Sequence, residues 1–516
     1  MVNKYIYAFA VILSACAKGL PDNAELIPAN ASCSPDNSDA VIPCNIAPLN
    51  FMINDEADEY LTRIYAAHGR TILVGGRTVR IPLRQWKSIL EANRGDTLYT
   101  EIYARRGKKW RRYRPVRNFI APEPVDAFLC YRLIEPSYVA YERMSICQRD
   151  LTSFSEKVIY DNMLLSDDVN GQCINCHAFH NYNRDGKMQM HVRQYLGGTL
   201  IVRAGAIEKI SLKTEHTVSA GVYPSWHPAG RFIAYSVNNT GQNFHTRNTE
   251  KIEVMDSESD IILYDADKRE ICMVAGSVNE METFPSWSSD GKYLYYASAR
   301  FEYRDRTDSH AMEVELADRY RDVRYSLMRK QFDEEKMTFG ATDTVFDAAA
   351  VGKSATFPRE SPDGRYLMFT LGDYGNFHIW HKSADLYLMD MQTRQVRPMT
   401  GVNSAEVESY HEWSSSGRWI VFSSRRDDGS YTRPYIAYFD RLGREHKPFI
   451  LPQEDPEFYG QFFKSYNIPS FMVEPVQPSR RDFVKAVMKN AIQVTFVERG
   501  QHQMMDDNTN TTNFYE

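Results

Sequence analysis

No stretch of this 516-residue chain reaches eighteen consecutive apolar residues, so nothing in it reads as a membrane-spanning helix. It has no basic block, and its net charge is −6, which argues against nucleic acid as a partner. No Ser-His-Asp arrangement or pair of carboxylates stands out, and Gly197-Gly198 is too short to cradle a phosphate. Helical periodicity is scarce, above all ahead of residue 173, which excludes a separate helical domain there. Cysteine is sparse as well, at 8 residues, and a C-x-x-C spacing occurs once.

That one spacing is the most informative feature present. Cys173, Ile174, Asn175, Cys176 and His177 form C-x-x-C-H, the pattern through which bacterial chains attach a c-type haem. Each thiol can add to a haem vinyl group, and the adjoining imidazole becomes an axial iron ligand. With 8 Cys and 13 His, chance yields the pattern in roughly three chains per thousand of this composition. One haem c is therefore expected, held by Cys173 and Cys176 with His177 as proximal ligand. Candidates for the sixth iron position are Met190, then Met188, with His191 and His180 behind them. His227 and His245 are more distant candidates, and Arg193 could face a haem propionate. A zinc site built from Cys173, Cys176, His177 and His180 is the main rival. Four ligands within eight residues surround one ion poorly, however. A redox-active Cys pair lacks the expected strand–helix setting.

The N-terminus points to export. Lys4 precedes the apolar run Tyr5 to Leu13, which has signal-peptide length. Leu13-Ser14-Ala15-Cys16 resembles the lipobox of bacterial lipoproteins, which implies cleavage before Cys16 and acylation of its thiol. Residues 1–15 are then the signal peptide. The lipid would anchor the chain in the bacterial envelope, at the outer membrane on its periplasmic side or at the cell surface. Of the remaining cysteines, Cys33 and Cys44 bracket a closable loop, Cys130 and Cys147 could face each other across neighbouring strands, and Cys272 is left over.

Residues 16–44 are rich in Pro, Asn, Asp and Ser and read as a tether. Residues 45–122 show alternating stretches around Gly75-Gly76 and one short helix near Gln85 to Leu90, giving a small β-rich domain. From residue 123 to about 480 the chain is repetitive. Tyr223-Pro-Ser-Trp-His-Pro-Ala-Gly-Arg, Phe284-Pro-Ser-Trp-Ser-Ser-Asp-Gly-Lys, Phe357-Pro-Arg-Glu-Ser-Pro-Asp-Gly-Arg and Tyr410-His-Glu-Trp-Ser-Ser-Ser-Gly-Arg each lead into an alternating apolar strand. Second strands ending in Asp265, Asp390 and Asp440 follow three of them. The repeat resembles the TolB-like (WD-repeat-like) propeller family, with Glu360 in place of Trp in the third copy and Ser416 in place of Asp in the fourth.

The resemblance implies a mainly β chain whose repeats are blades of a β-propeller, six in number, with seven or eight as alternatives. Residues 165–197, loop-like in composition, are expected to be a haem-bearing loop extruded from it. Residues 481–516 should hold a closing helix and a disordered tail. These readings point to electron transfer or a redox-linked envelope function with a redox partner or envelope protein complex. A TolB-like docking or uptake scaffold with a structural haem is the alternative, and a haem-dependent oxidoreductase a further one, although no catalytic motif accompanies the haem site.

Overall fold

The computed structural model describes residues 19–135, 143–167, 169–248 and 250–498. The expected signal peptide, Cys16 and the segment from 499 onward lie outside these residues. The fold is mainly β.

The N-terminal region is a seven-stranded sheet facing a three-stranded one. Glu59–Tyr65 shows why it forms: inward Tyr60, Thr62 and Ile64 alternate with more exposed neighbours, the period-two pattern of a strand covered on one side. Helix Leu83–Ala92 caps it, burying Trp86, Ile89 and Leu90, and the Trp86 indole N–H donates to the Ile46 carbonyl at 2.9 Å. The region begins earlier than its composition suggests. Glu25–Ile27 adds in parallel to Lys109–Tyr113, and Val41–Pro43 to Val116–Ala121. The expected tether is therefore largely part of this domain. Its three-residue strands are too short to register as strands until a longer partner strand offers them hydrogen bonds.

Six further sheets follow among the described residues, each built outward from an inner strand. The inner strands are Gln172–Phe179, Val222–Trp226, Glu280–Trp287, Ser354–Glu360, Glu408–Trp413 and Ser465–Met472. The first sheet takes its other three strands from residues 128–161, while its inner strand comes from near the C-terminus, with Ser465–Met472 antiparallel to Phe128–Ile134. Inner strands of successive sheets touch one another, and Gln172–Phe179 also touches Ser465–Met472. Helix Arg480–Val487, started by a Ser479/Asp482 capping box, buries Phe483, Ala486 and Val487. Beyond it, Ile492–Gln493 and Thr495–Phe496 add in parallel to the outer strands of the second and third sheets.

Each tight turn of the repeat carries a glycine with positive φ: Gly230 at 68°, Gly291 at 72°, Gly364 at 70° and Gly417 at 64°. Ser416, the departure from Asp, still does the Asp's work. Its hydroxyl accepts the Arg418 N–H at 3.2 Å, as the Asp290 carboxylate accepts that of Lys292 at 3.0 Å. Glu360, where Trp was expected, ties two sheets together by accepting the Ser289 N–H at 2.6 Å and the Tyr295 hydroxyl at 2.9 Å.

Two further expectations are corrected. Residues 165–197 are not an extruded loop, because Gln172–Phe179 and Met188–Gln194 are the first two strands of the second sheet. The turn between them, Asp185-Gly186-Lys187 with Gly186 at φ 67°, is a further copy of the repeat turn that an insertion had disguised. The proposed disulfides are also absent, and Cys33, Cys44, Cys130 and Cys147 are all free thiols. Cys130 pairs with Gln148 and Cys147 with Tyr131, so the two thiols point to opposite faces of the first sheet and enter different apolar clusters.

Candidate functional site

Each inner strand is interrupted at one position by a residue in left-handed conformation. These are Cys176 at φ 49°, Tyr223 at 48°, Phe284 at 54°, Phe357 at 53°, Tyr410 at 47° and Ile468 at 50°. In every case the ladder register shifts there, the mark of a β-bulge. A left-handed, non-glycine residue costs on the order of 1–2 kcal/mol, so a bulge kept in all six strands is a built feature rather than an accident. It presents side chains to a shared space, where Tyr223 meets Phe284 at 4.5 Å between ring centres, Phe284 meets Phe357 at 3.9 Å, and Phe357 meets Tyr410 at 5.0 Å. Cys176 and Ile468 hold the two remaining places in this collar.

The collar borders a cavity of about 240 Å³ to which all six inner strands contribute. The residue after each bulge is proline in four strands, at 224, 285, 358 and 469, and His177 or His411 in the other two. Of these, Pro224, Pro469, His177 and His411 line the cavity. Proline suits a bulge because it offers no N–H to leave unpaired.

His177 is the exceptional member. It is 3 % exposed, and both ring nitrogens are buried without a hydrogen-bond partner. Burial, aided by the nearby Arg132 guanidinium and opposed slightly by the Ile468 main chain, pushes its pKa down to about 3, so the imidazole is neutral. His411 resembles it in burial and in a pKa near 3, but its Nδ1 lies 3.4 Å from the Thr370 hydroxyl, leaving Nε2 alone unpartnered. Cys176 is buried in the collar, and burial raises its thiol pKa. Arg132 donates to the Ile174 carbonyl and the Asn175 side chain, between the two cysteines. The cavity also holds Arg359 and Glu412, and burial pushes Glu412 up to about 7.

The other expected residues are placed differently. Cys173 packs with Met188 and Met190 in an apolar cluster, and none of the three lines the cavity. His180 is committed on both sides, with Nδ1 2.9 Å from Asp185 and Nε2 2.9 Å from the Pro228 carbonyl. His191 Nδ1 lies 2.9 Å from the Thr199 hydroxyl. His227 bonds the Gly291 carbonyl at 3.0 Å, and His245 stacks on Tyr320. Arg193 sits across the ladder from Cys173. Among the described residues, no three of His, Cys, Asp and Glu are placed to hold a metal ion together. His411 was the residue sequence reasoning missed. The alignment of Tyr410-His411 with Tyr223-Pro224, and of both with Cys176-His177, was the available signal.

No protein family matches the chain, and no curated protein matches it. Among solved structures, the chain is similar to the tricorn protease at 14% identity, covering 69% of this chain and 34% of that one, with a TM-score of 0.33. It thus spans about a third of the tricorn protease's length. Prolyl endopeptidases are similar at 11% identity over 62% of this chain and 42% of theirs, with a TM-score of 0.29. An ancestral GH74 enzyme is similar at 8% over 86% and 62%, with a TM-score of 0.31. None of these similarities transfers an activity.

Proposed function

We propose that this chain is a closed six-bladed β-propeller of the bacterial envelope, anchored by lipid at Cys16, that carries one covalent haem c and serves electron transfer or a redox-linked envelope function. The carrying observation is His177: a neutral, buried imidazole with two unpartnered nitrogens, next to the free Cys176 thiol. A buried group left unsatisfied costs about 1–3 kcal/mol, a cost that binding iron through one nitrogen would reduce. Six sheets, inner strands touching in order and a first sheet completed from both ends of the repeat region support the propeller reading.

The residues fit the group chemically, and haem when bound supplies one-electron chemistry at iron. Cys173, Cys176 and His177 would hold it. His411, whose Nε2 is unpartnered, lines the same cavity as His177 and would be the candidate for a second ligand. The neutrality of His177, kept by burial and Arg132, leaves its lone pair free across the physiological range. The Cys176 thiol is 2 % exposed and held protonated, so it is unreactive once the chain has folded, and attachment must come first. In the extended strand Cys173 faces an apolar cluster while Cys176 faces the collar. A ring joined to both would draw residues 173–176 out of the ladder.

Co-expression with a haem-maturation system tests this reading. The expected product is one haem heavier than the bare chain, retains its haem in acid–acetone, and loses it in Cys176→Ala. A colourless product of bare-chain mass would overturn the proposal. In the loaded protein, His411→Ala should open the iron to carbon monoxide, read as a shift of the reduced visible band.

A further inference from the structure

We infer that the N-terminal domain holds a second, independent binding site, a cavity for a small, uncharged, hydrocarbon-rich molecule. It lies between the two N-terminal sheets and has a volume of about 290 Å³. That is nearly twice the ~150 Å³ that admits a benzene, and leaves room for about ten carbon-sized groups. Leu49, Phe51, Ile81, Trp86 and Ile102 form its apolar wall. The Trp86 N–H is already spent on the Ile46 carbonyl, so this side chain offers only its apolar surface.

The polar rim decides the charge of the occupant. Asp36 is the one charged residue in the lining, and both of its oxygens are used. Oδ1 accepts the Ser38 N–H at 3.0 Å and the Ser38 hydroxyl at 2.6 Å, while Oδ2 accepts the Lys447 ammonium at 2.8 Å. Cys33, also in the lining, is no anion partner either. Burial first, then Asp55 and Asp36, push its thiol up to about 12, so it stays neutral. An incoming carboxylate would find no free cation here, and burying it unpaired is costly. The Asn37 Oδ1 atom is buried without a partner, so a ligand hydroxyl donating to it gains a hydrogen bond. The segment that bears these groups, residues 30–38, is pinned to the sixth sheet by Lys447, which places the cavity at the seam between the domain and the repeat region.

The test titrates 1-decanol and decanoate into the full chain at pH 8 and follows heat or tryptophan fluorescence. We expect saturable one-to-one binding of decanol, tighter than decanoate by about tenfold or more. Asn37→Leu should weaken decanol about threefold to tenfold. Filling the cavity by Ala31→Phe or by Val116→Trp should abolish decanol binding, and melting curves identify any variant that fails to fold. The inference falls if decanol and decanoate bind alike, if neither binds saturably, or if a folded filled variant still takes decanol.

Discussion

The inner strand of the second sheet and those of the other five share one backbone and differ in what they place on it. At the same left-handed bulge, four strands carry an aromatic residue, one an isoleucine and one Cys176. At the next position, four carry proline, one the partly bonded His411 and one the unbonded His177. The aromatic–proline version is structural chemistry: the ring fills the collar, and the proline removes an N–H that the bulge would strand. The Cys–His version fills the same space less well and leaves two nitrogens unsatisfied. That loss, in one sheet out of six, is what the proposed covalent cofactor would offset.

Exchanging the two versions breaks this comparison most completely. Writing the third sheet's pair into the second, Cys176→Tyr with His177→Pro, should eliminate covalent haem while leaving the far-ultraviolet circular dichroism of a folded β protein. The bare variant should also be more stable than the parent by about 1–3 kcal/mol, because a buried unsatisfied imidazole has gone. Loss of the fold would show that the Cys–His pair is structural after all.

Smaller in effect is truncation within the collar. Phe284 is 1 % exposed between Tyr223 and Phe357, so Phe284→Ala should cost about 3–5 kcal/mol in urea unfolding. Cys176→Ala in the bare chain should cost far less, since a thiol fills little of the collar. Equal losses would erase the distinction drawn between the sheets.

The smallest expected effect is on acid sensitivity. His177 and His411 each have a folded pKa near 3 against an ordinary value near 6.5, so below about pH 6.5 the unfolded chain takes up protons that the folded one refuses. Stability therefore falls with pH by about 1.4 kcal/mol per unit for each of them, down to about pH 3. Glu412, pushed up to about 7, acts in the opposite sense, since the folded state keeps its proton where the unfolded state has lost it. The whole-chain profile is thus partly cancelled, and differences between variants are what to measure. His177→Gln and His411→Gln should each flatten the bare chain's stability between pH 6.5 and 4 by that amount. A parent and variant with parallel profiles would mean that the imidazole is hydrated rather than buried.

Much of the architecture was legible in the sequence. Tyr223-Pro224 through Tyr235 and its three companions announce a turn, a basic residue and an alternating strand, and these lie as strands and glycine turns where the repeat put them. The short helix near Gln85 to Leu90 was also legible, and it forms over Leu83–Ala92. Gln172–Phe179 was misread as loop because Ser, Asp, Asn and Gly crowd its flanks and an insertion hides the turn at Asp185-Gly186-Lys187. The strands at Glu25–Ile27 and Val41–Pro43 were missed because each is three residues long and borrows its order from a longer neighbour.

The sequence by itself determined what is local: the alternation that makes a strand one-sided, the glycine that closes a turn, and the placing of two thiols and an imidazole within five residues. Each of these depends only on neighbours along the chain. The tertiary structure alone decided that Ser465–Met472 completes a sheet begun at Phe128–Ile134. It alone sent Cys130 and Cys147 to opposite faces, divided Cys173 from Cys176 and left His177 without a partner where His180 has two. Those outcomes depend on which distant strands pack together and on which polar groups that packing strips of water, and no short-range pattern records either.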